Sequence, residues 1–253
     1  MLHYKTYGQG PALVILHGLF GMLDNWQTLA RKWADNYQVV LLDLRNHGRS
    51  PHEEEMSYAL MAQDVAEILE TLDIEECILL GHSMGGKVAM QTALEYPELV
   101  TKLIIVDISP RRYPPGHASI FAALEAFDPA TVSDRKAAAR EMEQYVSDPG
   151  IQLFLLKNLT RNPEGGFRWR MNLPVIKANY DKLIGPVGNL GDSYEAPALF
   201  LRGGNSGYVK DEDFDFIQAL FPAARLTTVA GAGHWVHAEK PTELMEAVDA
   251  FLA

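Results

Sequence analysis

The stretch Cys77-Ile78-Leu79-Leu80-Gly81-His82-Ser83-Met84-Gly85-Gly86 decides the fold of this chain. Its first residues are apolar, as is typical of a buried strand, and the run that follows Gly86 is compatible with a helix. Gly-x-Ser-x-Gly between a strand and a helix indicates a nucleophilic serine on a sharp turn, with its hydroxyl exposed at the edge of a sheet. Gly81 and Gly85 carry no Cβ and would let the strand and the helix pass closely. The alternative is a Gly-Ser turn without chemistry.

Two backbone N–H groups are candidates for an oxyanion hole. Met84 follows the serine and begins the helix, so its N–H has no partner within the helix. The second candidate is the N–H of Leu19, within the loop His17-Gly18-Leu19-Phe20-Gly21 that directly follows the apolar run 12–16. We interpret His17 as a structural residue that holds this loop by hydrogen bonds, not as a proton carrier.

Apolar runs alternate with helical patterns over most of the chain. The candidate strands are residues 2–7, 12–16, 38–44, 77–80, 103–106, 197–201 and 225–230. Strands that are separated by helices favour an α/β fold, with a mostly parallel central sheet flanked by helices. Because ligands bind at the carboxyl ends of the strands in such sheets, we expect Leu19, Ser83 and Asp107 to meet at one edge.

The alternation stops between residues 111 and 192. Strand patterns are absent there, and amphipathic helical runs take their place. We interpret residues 111–192 as a helical cap inserted over the site, with residues 1–110 and 193–253 forming the core. Caps of this kind exclude water and shape a substrate pocket. Elaborated crossover helices are the alternative interpretation.

His234 is the candidate general base among the eight histidines. It follows the last candidate strand within Gly231-Ala232-Gly233-His234-Trp235, where glycine-rich turns would let the ring reach across the strand ends. It also lies downstream of the serine, in nucleophile-first order. His237 is the competitor, and His82 would point the wrong way to serve as the base. The pair His234 and His237 is a weak case for a metal, because no cysteine or carboxylate cluster completes it.

Taken together, these motifs resemble the α/β-hydrolase superfamily over nearly the whole chain. Within that superfamily they look like the YbfF-type bacterial esterases and the related ABHD11-like proteins. The motifs that carry the resemblance are residues 17–21 (His-Gly-Leu-Phe-Gly), 43–48 (Asp-Leu-Arg-Asn-His-Gly), 81–87 (Gly-His-Ser-Met-Gly-Gly-Lys), 203–206 (Gly-Gly-Asn-Ser) and 231–237 (Gly-Ala-Gly-His-Trp-Val-His). The resemblance implies an α/β-hydrolase fold and a serine carboxylesterase, with acyl-CoA thioesters as a second substrate class.

The acid of a Ser-His-Asp triad is the least obvious member in this sequence. In the superfamily it usually follows the penultimate strand, but that loop here carries Asn205, and a neutral amide cannot stabilise an imidazolium as a carboxylate does. We therefore assign the acid to Asp107, which ends the strand after the nucleophile strand, a position that some superfamily members use. Asp211 and Asp213 are rivals within the next helical run. The alternative for Asp107 is a cap of the turn that follows it.

The expected chemistry is acyl transfer. Ser83 would attack an acyl carbonyl to form an acyl-enzyme, and His234, oriented by Asp107, would move the proton. The expected substrates are short- to medium-chain acyl esters. Two other functions stay open: a carbon–carbon bond hydrolase or lyase of the menaquinone-pathway type on the same fold, and a ligand-binding protein that keeps the triad without turnover.

Three aromatic side chains are candidates to line the acyl pocket. They are Phe20, Tyr208 and Trp235. Each could equally be an ordinary aromatic residue of the core or of the pocket rim, because aromatic rings contribute large apolar areas to both.

Composition narrows the class of partners. The chain has 253 residues, 47% of them hydrophobic, and a formal net charge of −11, which argues against a nucleic-acid or anionic-membrane surface. No apolar run approaches the ~18 residues of a membrane-spanning helix, and we expect no signal peptide and a cytoplasmic location.

Cys77 is interpreted as a small buried hydrophobe. No cofactor or metal is expected, and the oligomeric state stays open.

Overall fold

A seven-stranded sheet forms the centre of the computed structural model, which describes residues 1–189 and 191–253. The strands are β1 (His3–Tyr7), β2 (Ala12–Leu16), β3 (Gln38–Asp43), β4 (Cys77–His82), β5 (Val100–Val106), β6 (Leu159–Arg161), β7 (Phe167–Trp169), β8 (Ala198–Gly203) and β9 (Ala224–Val229). The order across the large sheet is β1-β3-β2-β4-β5-β8-β9. Within it, β1 runs antiparallel to β3 and every other pair is parallel. The predicted mostly parallel α/β sheet is therefore confirmed.

The helices are short and connect the strands. They are α1 (Gln27–Trp33), α2 (Tyr58–Thr71), α3 (Met84–Glu95), α4 (Ala118–Glu125), α5 (Arg135–Met142), α6 (Pro149–Leu156), α7 (Leu173–Ala178), α8 (Tyr180–Leu183), α9 (Phe214–Leu220), α10 (Val236–Glu239) and α11 (Pro241–Leu252). Ser57 caps α2, where its Oγ accepts the N–H of Leu60. Among the described residues, no helix has both the length and the apolar character needed to cross a membrane.

Both faces of the sheet are buried. In β2, Val14 and Leu16 pack in one apolar cluster together with side chains of α2 and α3. The intervening Leu13 and Ile15 pack in a second cluster with side chains of α1 and α11. Successive side chains of a strand point to opposite faces, so covering both faces requires every position to be apolar. This explains why the central strands read as unbroken apolar runs in the sequence.

The segment between β5 and β8 is mostly helical, and one prediction about it is wrong. It contains α4 to α8, but it also contains β6 and β7, which pair as an antiparallel hairpin. We expected no strands between residues 111 and 192. Each of these strands has only three residues, which is too short to produce a recognisable period of two.

This segment lies against loops at the carboxyl ends of the central strands. The side-chain amide of Asn158 donates to the carbonyl oxygen of Phe20 at 2.7 Å, and the ring of Phe121 meets the ring of Phe20 edge-on at 5.5 Å. The hydroxyl of Tyr58 in α2 donates to the carbonyl oxygen of Leu183. The division into a core (1–110 and 193–253) and a cap (111–192) stays a prediction that these contacts favour.

Candidate active site

Ser83 lies on a strained turn between β4 and α3. Its backbone φ is 52° and its ψ is −120°, a conformation that side-chain-bearing residues rarely adopt. The turn is tight because a Cβ at Gly81 would lie 2.1 Å from the carbonyl oxygen of Gly85, and one at Gly85 would lie 2.4 Å from that of His17. Only glycine fits either position, which is the steric reason for the Gly-x-Ser-x-Gly spacing.

The three residues of the predicted triad meet at the edge of the sheet. His234 Nε2 lies 3.0 Å from Ser83 Oγ, and His234 Nδ1 lies 2.7 Å from Asp107 Oδ2. A carboxylate can only accept, so the ring proton belongs on Nδ1, and Nε2 is left to accept the serine hydroxyl. This arrangement is what a serine nucleophile and its general base require.

Asp107 is completely buried and accepts several hydrogen bonds. Its Oδ1 accepts the N–H of Gly203 at 2.9 Å, and its Oδ2 accepts the hydroxyl of Ser206 at 2.5 Å as well as His234 Nδ1–H. Like Ser83, Asp107 has a positive φ, here 52°. These donors compensate a buried carboxylate for the water that it has lost.

Ser206 is a site residue that the sequence reasoning missed. It lies in the loop after β8, beside Asn205, where a triad acid was expected and not found. The sequence shows a hydroxyl in that loop, but its contact with the carboxylate that follows β5 depends on β5 and β8 being neighbours in the sheet. Ser206 carries no charge, so it did not stand out as a candidate for the triad acid.

The rival acids and the rival base lie elsewhere. Asp211 is exposed and pairs with Arg202 at 2.7 Å, whereas Asp213 pairs with Arg111 at 2.8 Å. His237 is half-buried, and its ring stacks on that of Trp26 with the centroids 4.5 Å apart. Burial, and then repulsion from nearby charges, lowers the pKa of His237 to about 3. It is therefore neutral at physiological pH, and it has no hydrogen bond to Ser83.

His82 makes no hydrogen bond to Ser83, as expected, but it contacts the candidate base His234. Its Nε2 lies 2.9 Å from the carbonyl oxygen of His234, and the two rings are 4.8 Å apart. Burial lowers the pKa of His82 well below the ordinary value.

In the described part of the chain, no group of three or more His, Cys, Asp or Glu side chains is arranged to hold a metal ion.

Tyr208 stacks on the candidate base. Its ring stacks on the imidazole of His234 with a centroid distance of 3.8 Å and an angle of 16° between the planes. The hydroxyl of Tyr113 donates to the carbonyl oxygen of Tyr208 at 2.6 Å, and the N–H of Tyr208 donates to Ser206 Oγ at 3.2 Å. Stacking and these backbone hydrogen bonds restrict the orientation of the imidazole.

The loop that carries Leu19 is held by two neutral histidines. His17 Nε2 accepts the N–H of Leu44 at 3.0 Å, and His47 Nε2 accepts the N–H of Phe20 at 3.2 Å. Burial is the main reason that the pKa falls to about 4 for His17 and to about 3 for His47. Both rings therefore accept hydrogen bonds as neutral imidazoles, in line with the structural role expected for His17.

The predicted oxyanion donors remain free of protein acceptors. The N–H of Gly21 donates to Gly18 and that of Phe20 to His47, but among the described residues neither Leu19 N–H nor Met84 N–H has an acceptor. Both residues line the same cavity as Ser83. Two unpaired N–H groups beside a nucleophile are suited to stabilise an oxyanion.

Two cavities meet at Ser83. The larger has a volume of about 430 Å³ and is lined by Leu19, Met84 and Tyr208 among others. The smaller has a volume of about 40 Å³ and is lined by Phe20 and Trp235. The three aromatic residues that were expected to line one pocket are therefore divided between two, and their role in binding stays a prediction.

Comparisons with known proteins identify the family. Residues 11–241 match the family model described as alpha/beta hydrolase fold. The chain is 43% identical to the sn-1-specific diacylglycerol lipase ABHD11 of Mus musculus over 251 residues, which is 96% of this chain and 81% of the relative. It is 39% identical to Esterase YbfF of Escherichia coli (strain K12) over 241 residues, which is 95% of this chain and 92% of the relative.

A solved structure agrees with these relatives. The structure titled "Marine microorganism esterase" superposes with a TM-score of 0.97 at 39% identity, covering 99% of this chain and 98% of the other. The resemblance that was inferred from the separate motifs is thereby confirmed. The chain belongs to the α/β-hydrolase fold family.

Proposed function

We propose that this chain hydrolyses short- to medium-chain carboxylic esters through a Ser83–His234–Asp107 triad and an acyl-enzyme. One observation carries the proposal: the unbroken hydrogen-bond chain from Ser83 Oγ through His234 to Asp107, at 3.0 and 2.7 Å, opens on a cavity large enough for a substrate. The relatives named above are called lipase and esterase, which supports ester hydrolysis as the class of reaction.

Acylation would begin at the serine hydroxyl. Ser83 Oγ attacks the carbonyl carbon while His234 Nε2 takes the hydroxyl proton, and the carbonyl oxygen becomes an oxyanion beside the N–H groups of Leu19 and Met84. The tetrahedral intermediate collapses, the bond to the alcohol oxygen breaks, and His234 returns its proton to that oxygen. The acyl group is then esterified to Ser83.

Deacylation repeats these steps with water as the nucleophile. His234 takes a proton from water, the hydroxide attacks the acyl-enzyme, and the serine oxygen leaves with the proton from His234. Asp107 keeps the imidazole in the required tautomer and stabilises the imidazolium in both halves of the reaction. Thioesters fit the same scheme with a thiol as the leaving group.

The segment 111–192 would act as a cap over this chemistry. Two contacts support that role. The hydrogen bond from Asn158 to Phe20 joins the segment to the loop that carries an oxyanion donor, and the hydrogen bond from Tyr58 to Leu183 joins it to α2. A cap excludes bulk water from the reacting groups and limits the length of the acyl chain.

The test is hydrolysis of p-nitrophenyl butyrate by the wild type, Ser83→Ala and Ser133→Ala. Ser133 is exposed, and its substitution makes the same chemical change away from the site. We expect rapid release of p-nitrophenol by the wild type and the control, and none above background from Ser83→Ala. Mass spectrometry of the quenched wild type should detect a butyryl group on the peptide that contains Ser83. No release from folded wild type would contradict the proposal.

A further inference from the structure

Lys87 carries a buried amino group one helical turn beyond the nucleophile. The residue is 1% exposed and lies in α3, yet it lines the larger cavity together with Ser83. Its Nζ donates to the carbonyl oxygen of Arg111 at 2.7 Å and to that of Gly185. Its ammonium group also faces the ring of Tyr113, at 5.0 Å from the centroid. These are all neutral partners.

No described carboxylate forms an ion pair with Lys87. The two other cations that line the cavity differ in this respect, since Arg111 pairs with Asp213 and Lys210 pairs with Glu212. A buried charge without a counter-ion is unfavourable, and proteins usually pair it or use it. The protonated form of Lys87 therefore has no counter-ion among the described residues.

The charge of the cavity is opposite to that of the whole protein. The chain carries a formal net charge of −11. The described residues that line the cavity include Lys87, Arg111 and Lys210 but no aspartate or glutamate. The cavity is lined by basic side chains and, within the described residues, by no carboxylates, although the protein as a whole is acidic. Its electrostatic potential therefore favours an anionic ligand.

The ammonium of Lys87 would also gain from a bound anion. Burial, followed by repulsion from Arg111 and Arg112, lowers the pKa of Lys87 to about 7. A negatively charged group in the cavity would favour the protonated lysine, and a charge-assisted hydrogen bond would then add to the binding.

We propose that the substrate carries, in addition to its ester or thioester, an anionic group that binds in the larger cavity beside Lys87. The inference rests on the proposed ester hydrolysis and names a specificity-determining residue for it. A carboxylate at the far end of the acyl chain and a phosphate on the leaving group share the required chemistry, and the experiment distinguishes them.

Two matched pairs of substrates test the proposal in the wild type. On the acyl side, p-nitrophenyl hexanoate is compared with mono-p-nitrophenyl adipate, which has the same chain length and a terminal carboxylate. On the leaving-group side, the butyryl thioester of N-acetylcysteamine is compared with that of coenzyme A, which adds phosphates. We expect the anionic member of one pair to have a kcat/KM at least about tenfold higher, as a charged hydrogen bond in a desolvated site implies.

Two lysine variants locate the effect. In the substrate pair for which the wild type prefers the anionic member, Lys87→Met should bring the ratio of the two kcat/KM values close to one. Lys32→Met removes the same charge from the exposed helix α1 and should leave the ratio unchanged. If Lys87→Met does not fold, Lys87→Gln repeats the test, because it keeps an N–H donor for the two carbonyl oxygens.

The outcomes separate this inference from the proposed function. If the wild type hydrolyses the neutral members as fast as the anionic ones in both pairs, the inference is wrong and the esterase proposal stands. A preference that persists in a folded Lys87 variant also overturns it. If none of the four compounds is hydrolysed, the proposed function fails, and the inference fails with it.

Discussion

The hydroxyl of Ser206 donates to Asp107 Oδ2 at 2.5 Å, the same oxygen that accepts the ring N–H of His234 at 2.7 Å. Ser206 lies in the loop after β8 and Asp107 directly follows β5, so the bond joins neighbouring strands of the sheet. Ser206 thus acts on His234 through the carboxylate, as a positioning residue. The loop in which the acid usually lies thus supplies a hydrogen-bond donor to the acid instead.

Ser206→Ala should slow catalysis without abolishing it. Loss of a hydrogen bond to a buried carboxylate costs about 1.5–3 kcal/mol. If this loss destabilises the imidazolium that forms in the transition state, kcat should decrease by about ten- to a hundredfold. The pH profile of kcat should shift as well, because the carboxylate then interacts differently with His234. Steady-state kinetics from pH 5 to pH 9 would measure both effects.

Ser193→Ala is the matched control for that variant. The hydroxyl of Ser193 also donates to a carboxylate, that of Glu195 at 2.5 Å, but at an exposed site. We expect no change in its kcat or its pH profile. A Ser206→Ala enzyme with the wild-type profile would show that the hydrogen bond to Asp107 has no part in positioning the base.

Asp107→Asn should lower kcat by about four orders of magnitude, the effect expected when the acid of such a triad is neutralised. The amide cannot stabilise an imidazolium, and its NH₂ group favours the wrong tautomer of His234. Asp211→Asn is the control, since Asp211 was the rival acid and lies exposed beside Arg202. A large loss in Asp211→Asn with little loss in Asp107→Asn would refute the assignment of the acid.

Asn158→Ala tests whether the segment 111–192 supports the oxyanion loop. Its side-chain amide donates to the carbonyl oxygen of Phe20 at 2.7 Å, and its loss would leave that buried oxygen unpaired at a cost of about 1–3 kcal/mol in the free energy of unfolding. We expect lower kcat together with a lower Tm.

The control for Asn158→Ala is Asn162→Ala, because Asn162 makes a local contact within the turn between β6 and β7. Its kcat should equal that of the wild type. If Asn158→Ala loses stability but keeps full kcat, the contact is structural only, and the segment does not influence the oxyanion loop through it.

Stability should fall on mild acidification because of His17 and His47. Burial lowers their folded-state pKa values from 6.5 to about 4 and to about 3. Below pH 6.5 the unfolded chain therefore binds protons that the folded chain does not. The free energy of unfolding decreases as the pH falls from 6.5 to the pKa of the folded state. The loss at about pH 5, relative to about pH 8, is about 2 kcal/mol for each histidine.

Urea unfolding of the wild type and His47→Gln at both pH values would measure this effect. The variant should lose about 2 kcal/mol less than the wild type over the same interval, whatever its stability at neutral pH. His52→Gln, at an exposed position, should follow the wild type. An identical pH dependence of wild type and His47→Gln would show that His47 does not contribute to the acid sensitivity.

Local sequence determined the elements of the fold and two members of the candidate triad. The strand–Ser83–helix turn was predictable because its glycines satisfy a steric need within a few residues, and the central strands were predictable because burial on both faces requires unbroken apolar runs. His234 followed from its place after the last strand. The hairpin of β6 and β7 was missed because such short strands carry little periodicity.

Tertiary structure alone decided which side chains meet. Asp107 was inferred from the absence of an acid after the penultimate strand and from the family resemblance. Its hydrogen bonds with Gly203 and Ser206 depend on β5 and β8 being neighbours, although about a hundred residues separate the partners in the chain. The cation of Lys87 and the division of the pocket into two cavities depend in the same way on how α3, the loops and the segment 111–192 pack together. Hydrogen bonds and electrostatics act over a few ångströms in space, whereas a sequence pattern reports only on neighbours along the chain.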